Sequence, residues 1–134
     1  MKVKNIIMPL LFCLYLTGVA LLCFMHGEAL PQFSKTVLGL PADKVAHFAM
    51  FLPFLPLSYF TFRKKRHSRF AKLSLLTVLL ALGAGTAYLT EIIQEHLGYR
   101  SYEIKDFHID CMGLGVGYVL ITIGILLRKS RKRR

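Results

Sequence analysis

Four long apolar blocks decide what this chain can fold into, over residues 6–25, 44–62, 73–94 and 106–127. A helix needs about 20 predominantly apolar residues to cross the ~30 Å hydrocarbon core of a bilayer, and each block meets that length. The apolar residues are contiguous, unlike the one-sided stripe of a helix lying on a soluble core. The blocks occupy most of the 134 residues, so little chain remains for a soluble domain. These features predict an all-α membrane protein, a bundle of four transmembrane helices in a single membrane domain over residues 1–134. The formal net charge of +11 comes without any nucleic-acid recognition motif, so nucleic acid is not an expected partner.

The charges also predict an orientation. Fourteen of the 18 basic residues lie at the start (Lys2, Lys4), in the 63–72 loop, and in the tail from Arg128. The other segments hold Lys35, Lys44, Arg100 and Lys105 together with every acidic residue: Glu28, Asp43, Glu91, Glu95, Glu103, Asp106 and Asp110. Lys and Arg accumulate on the cytoplasmic side of membrane proteins. The expected topology is therefore N-in/C-in, because three or five spans would put basic clusters on opposite sides. Each basic group near an anionic membrane surface contributes about 1 kcal/mol of attraction, which makes membrane lipids the first expected partner.

Proline, glycine and cysteine add detail. The first block follows two lysines, as a signal peptide would, and Gly27-Glu28-Ala29 is a weak cleavage site. Its apolar run exceeds the roughly 7–15 residues of a signal core, so a retained helix is expected. The 26–42 loop carries Pro31, Gly39 and Pro41 among Leu30, Phe33, Val37, Leu38 and Leu40, a pattern that fits a short interfacial helix. Asp43 stands where an N-cap would. Pro53 and Pro56 predict a bend in the second helix, tolerated where neighbours re-satisfy the backbone. Gly83 and Gly85, and the GxxxG pair Gly113 and Gly117, would allow close helix approach. The GxxxG face would also permit a homo-oligomer. Cys13, Cys23 and Cys111 are odd in number and lack CxxC spacing, so buried free thiols are expected.

Several polar residues are not explained by topology. Asp43 and His47 are four apart, Glu91 and Gln94 three apart, and Asp106 and Asp110 four apart, so each pair shares a helix face. Lys44 begins the same turn as Asp43, and Arg100 lies in the loop between the last two pairs. An unpaired charge one turn inside a span costs on the order of 2–3 kcal/mol or more. The economical solution turns these faces toward each other, gathering Asp43, Lys44, His47, Glu91, Gln94, Arg100, Asp106 and Asp110 into one outward-facing cluster. Such a cluster could simply tie helices together, with Arg100 clamping Asp106 or Glu91 and His47 pairing with Asp43 or Asp110. It could equally bind a ligand. Three carboxylates and a histidine also suit a divalent ion, but no HExxH-type spacing marks a metal site, and Lys44 and Arg100 oppose a cation. No metal or cofactor is therefore expected. His108 falls on another face, Glu95, His96 and Glu103 read as solvated loop residues, and Tyr99, Tyr102 and Phe107 as an interfacial belt.

The segment Asp43-Lys44-Val45-Ala46-His47-Phe48 resembles the DKxxHF motif of the VanZ-like family. Glu91-Ile92-Ile93-Gln94 resembles its ExxQ motif, followed by Arg100, Asp106, Asp110, Gly113 and Gly117 at the family's spacing. Asp110 stands where the family usually has Asn, which adds negative charge. The resemblance covers roughly 43–62 and 75–120. It implies a bacterial cytoplasmic-membrane protein of a family named for a protein associated with low-level teicoplanin resistance. The resulting expectation is a non-enzymatic protein that binds a cell-wall precursor or another lipid-linked envelope ligand. An enzyme acting on a lipid-linked substrate, with His47 or Glu91 as general base, and an oligomeric transporter are the alternatives.

Overall fold

The computed structural model describes residues 2–24, 36–37, 39–64, 68–98 and 103–128, with side chains from Ile6 onward. In chain order the elements are α1 (Lys2–Phe24), β1 (Thr36–Val37), β2 (Leu40–Pro41), α2 (Ala42–Phe51), α3 (Phe54–Phe62), α4 (Arg69–His96) and α5 (Ile104–Leu127). Helices α2 and α3 together make one span. Four segments are thus long and apolar enough to cross a membrane: Ile6–Phe24, Ala42–Phe62, Arg69–His96 and Ile104–Leu127.

The second span bends where the prolines predict, with Leu52 and Pro53 both keeping right-handed helical dihedrals. It turns at Leu52 and Pro53 between α2 and α3. Proline has no N–H to give, so Pro53 and Pro56 leave the carbonyls of Ala49 and Leu52 without their helical donors. Asp43 does not cap α2, because Pro41 holds that position and Asp43 lies in the first turn. Its carboxylate there still meets the positive end of the helix dipole. The described residues of the 26–42 loop before Ala42 are not helical. Thr36 pairs with Pro41 and Val37 with Leu40 in a two-strand ribbon, turned by Gly39 at a φ of 78°. Residues 25–35 lie outside the described residues.

Helix α4 starts earlier than its apolar run. The Ser68 hydroxyl accepts the Ala71 amide at 3.1 Å, so Arg69 and Lys72 belong to the first helical turn and not to a loop. At 28 residues, α4 is about 42 Å long, longer than the ~30 Å hydrocarbon core of a bilayer. It stops at Gly98, whose φ of 70° is readily open only to glycine. Arg69 Nη2 donates to the Arg128 carbonyl at 3.2 Å, so the start of α4 and the end of α5 share one end of the bundle. The residues Lys65–His67 and 129–134 of the basic segments lie outside the described residues.

Lipid tails are as apolar as leucine, so membrane helices associate by close packing and polar contacts. Phe51, Leu55, Leu76 and Leu114 are fully buried, and Phe54, Tyr59, Leu79, Ala87, Ile121 and Ile125 join them in one core. Leu14, Val78, Leu82, Leu89, Val119 and Leu120 face outward, where lipid would solvate them. Helix α1 sits at the edge, packed chiefly on α3. Its Tyr15 hydroxyl donates to the Met50 carbonyl, and Phe12 packs edge-on against Phe54 and Phe62.

The glycines divide sharply. A methyl group at Gly113 would meet the Phe48 carbonyl oxygen at 2.7 Å and the Leu52 amide nitrogen at 3.1 Å. One at Gly117 would meet the Leu52 carbonyl oxygen at 3.1 Å, the carbonyl whose i+4 donor Pro56 removes. The GxxxG face of α5 is therefore covered by α2 and α3 of the same chain and is not open for self-association. Gly83 lets Phe54 and Leu114 close in, but Gly85 has nothing within 4 Å. Gly85 is thus not a packing glycine, because it lies on the lipid side of α4.

Candidate functional site

Opposite the end marked by Arg69 and Arg128, the first turns of α2 and α5 meet the last turns of α4. Asp43, Lys44 and His47 come from α2, Glu91 from α4, and Asp106 and Asp110 from α5. His47 is the centre. Its Nδ1 lies 3.0 Å from Asp110 Oδ1 and 3.9 Å from Glu91 Oε1. Its Nε2 lies 3.7 Å from Asp106 Oδ2 and 4.0 Å from Asp43 Oδ1. The imidazole thus stands between two pairs of carboxylates, one pair on each ring nitrogen.

Depth separates a floor from a rim. His47, Glu91, Asp106 and Asp110 are buried, with Asp110 fully enclosed. Lys44, Asp43 and Glu103 reach the surface, their side chains 22%, 38% and 54% exposed. Lys44 Nζ contacts Asp106 Oδ1 and lies 3.1 Å from Glu103 Oε2, so the lysine closes over Asp106 and neutralises it. Two buried oxygens, Glu91 Oε1 and Asp110 Oδ2, have no hydrogen-bond partner among the described residues.

The convergence follows from helical spacing. Asp43 and His47 are one turn apart on α2, and Asp106 and Asp110 are one turn apart on α5. Gly113, three residues beyond Asp110, brings the α5 backbone against Phe48, the residue after His47. The close approach that glycine permits is what puts imidazole against carboxylate.

Three residues depart from the expected grouping. Gln94 shares the buried face of α4 with Glu91, but its Nε2 donates to the Cys23 carbonyl at 2.9 Å, so it anchors α1. Glu103 is exposed, as expected of a loop residue, and is also an ion-pair partner of Lys44. Nothing in its spacing from Lys44 signals this, because the contact crosses between distant segments. Arg100, together with Tyr99 and Tyr102, lies outside the described residues, and among those described it is Lys44 that clamps Asp106. His108 is exposed on another face of α5, and Phe107 packs edge-on against Tyr88 at 5.9 Å.

Chemically, the site combines a histidine that can exchange protons through either nitrogen, buried carboxylates that can accept hydrogen bonds or ligate a cation, and a surface lysine able to meet an anion. Two sets of donor atoms lie mutually within 4.8 Å, Asp43–His47–Asp106 and His47–Glu91–Asp110. Neither the curated proteins nor the solved structures include a match to this chain. A family model described as VanZ/LLP1 matches residues 10–127, which takes in most of the first span, the other three whole, and every residue of the site. This multi-pass membrane protein therefore belongs to the VanZ/LLP1 family.

Proposed function

We propose that this VanZ-type protein sits in the bacterial cytoplasmic membrane with both termini inside and binds a cell-envelope or lipid-linked ligand at an outward-facing polar cluster, contributing to glycopeptide resistance of the teicoplanin type. The observation that carries the reading is the exposed rim of Lys44, Asp43 and Glu103 over a buried floor of His47, Glu91, Asp106 and Asp110. Burying that many ionisable groups near one end of three spans is costly, and such residues in membrane segments mark function by default. Lys44 and Arg100 suit an anionic group such as the pyrophosphate of a lipid-linked precursor, while Asp43 and Glu103 suit its hydroxyl or amide donors.

The test is expression in a susceptible bacterium, scored by teicoplanin susceptibility and by binding of a short-chain polyprenyl pyrophosphate to the purified protein. His47→Ala and Glu91→Gln should each abolish both readouts while leaving the protein folded and inserted. Full activity in both variants would overturn the reading. The His47–Asp110 pair favours a second one, in which His47, oriented by Asp110, acts as a general base on a lipid-linked substrate. Turnover of that precursor by wild-type protein, lost in His47→Ala, would select the enzyme over the binding protein.

A further inference from the structure

We propose that His47, Glu91 and Asp110 hold a divalent first-row transition ion, Zn2+ or Mn2+, between α2, α4 and α5. The three donor residues are 2%, 3% and 0% exposed, and their ligand atoms lie within 4.8 Å of one another. Metal–donor bonds of about 2.0–2.2 Å require donors about 3–3.5 Å apart. The 3.0 Å separation of His47 Nδ1 and Asp110 Oδ1 already meets this, and the 3.9 Å separation to Glu91 Oε1 needs only a small side-chain adjustment. One imidazole nitrogen with two carboxylates is a mixed donor set that suits these ions better than Mg2+ or Ca2+.

Two observations point to an occupant and not merely to an acidic cluster. Glu91 Oε1 and Asp110 Oδ2 are buried oxygens without a hydrogen-bond partner among the described residues, and a buried carboxylate oxygen left without a donor is expensive. The cationic side chain also lies on one side of the ring only, since Lys44 reaches Asp106 and Glu103. Lys44 sits against Asp106, on the Nε2 side of His47, and neutralises that carboxylate. Glu91 and Asp110, on the Nδ1 side, carry two negative charges that a divalent ion would balance.

The position of Lys44 chooses between the two donor sets. A cation bound by Asp43, His47 and Asp106 would face the ammonium directly. A cation on the Nδ1 side is shielded from it by the imidazole ring. His47 would then ligate through Nδ1 and donate its Nε2–H toward Asp106, 3.7 Å away. That is the carboxylate–histidine–metal relay by which an outer carboxylate fixes the tautomer of a ligand. Without the ion, Nδ1–H donates to Asp110 instead, so binding switches the tautomer. Lys44 therefore opposes a cation on the Nε2 side of His47 and not on the Nδ1 side.

The test titrates the full chain, purified in nanodiscs and stripped with chelator, with Co2+ and then Zn2+ alone. Wild type should bind one ion per chain, show visible d–d absorption with Co2+, and lose that band as Zn2+ displaces it. Glu91→Gln and Asp110→Asn preserve shape and should each abolish the band, while Asp106→Asn should weaken binding by about 10–100-fold. Glu95→Gln, an exposed change on the same helix, should behave as wild type. Far-UV circular dichroism checks that each variant is folded, and the wild-type stoichiometry decides should any fail. Wild-type protein that takes up neither ion, or Glu91→Gln and Asp110→Asn variants that bind as tightly as wild type, would overturn the inference. The ion site stands apart from the ligand reading: protein that holds the ion but binds no polyprenyl pyrophosphate keeps the first and loses the second.

Discussion

One added methyl group, Gly113→Ala, should force α2 and α5 apart and with them the two halves of the polar cluster. The new carbon would lie 2.7 Å from the Phe48 carbonyl oxygen and 3.1 Å from the Leu52 amide nitrogen. Both are backbone atoms, so no side chain can swing aside. A relaxed carbon–oxygen contact is about 3.3 Å, so the helices must separate locally by about 0.6 Å. Overpacking of this kind costs about 1–3 kcal/mol. His47 immediately precedes Phe48, and Asp110 lies one turn before Gly113. The same displacement would stretch the 3.0 Å contact between Nδ1 and Oδ1 to about 3.6 Å, no longer a hydrogen bond. The assay is denaturant titration in mixed micelles followed by circular dichroism, with Gly85→Ala and Gly115→Ala in parallel. Nothing lies within 4 Å of either position, so both controls should stay within about 0.5 kcal/mol of wild type. Gly113→Ala no more damaging than Gly85→Ala would refute the packing argument.

Two further outcomes follow from the polar contacts. Lys44→Met strands the buried Asp106 and should cost about 2–3 kcal/mol or more. Adding Asp106→Asn should recover part of that loss, a coupling that a double-mutant cycle in the same titration measures. Gln94→Leu removes the bond to the Cys23 carbonyl, worth about 0.6–1.7 kcal/mol in membrane proteins. It should loosen α1, read as faster maleimide labelling of the buried Cys23, with no change in His108→Ala.

The four spans were legible because bilayer thickness dictates run length, and the bend in the second span because proline lacks a donor. The joining of Asp43 and His47 to Asp106 and Asp110 followed from one-turn spacing and the high cost of burying a lone charge. Other features depended on which helix faces which. Gln94 sits on the same face as Glu91, yet the peripheral α1 covers it and the cluster does not. Gly83 and Gly85 look alike in composition. Stepping back by turns from Glu91 through Ala87 reaches Gly83, the inward glycine, and leaves Gly85 toward lipid, so that distinction was available from periodicity. The GxxxG pair indicated close approach but not its partner, which is the proline-bent span of the same chain. The Glu103–Lys44 pair joins segments far apart in sequence, and no local pattern encodes such a contact.

The proposed opening of the polar cluster to the cell exterior is tested most directly by cysteine accessibility. In a chain cleared of Cys13, Cys23 and Cys111, Asp43→Cys places a thiol on the half-exposed rim and Arg69→Cys one at the opposite, basic end. A membrane-impermeant maleimide added to intact cells should label Asp43→Cys, and should reach Arg69→Cys only after permeabilisation. The reverse pattern would put the cluster in the cytoplasm and contradict the account.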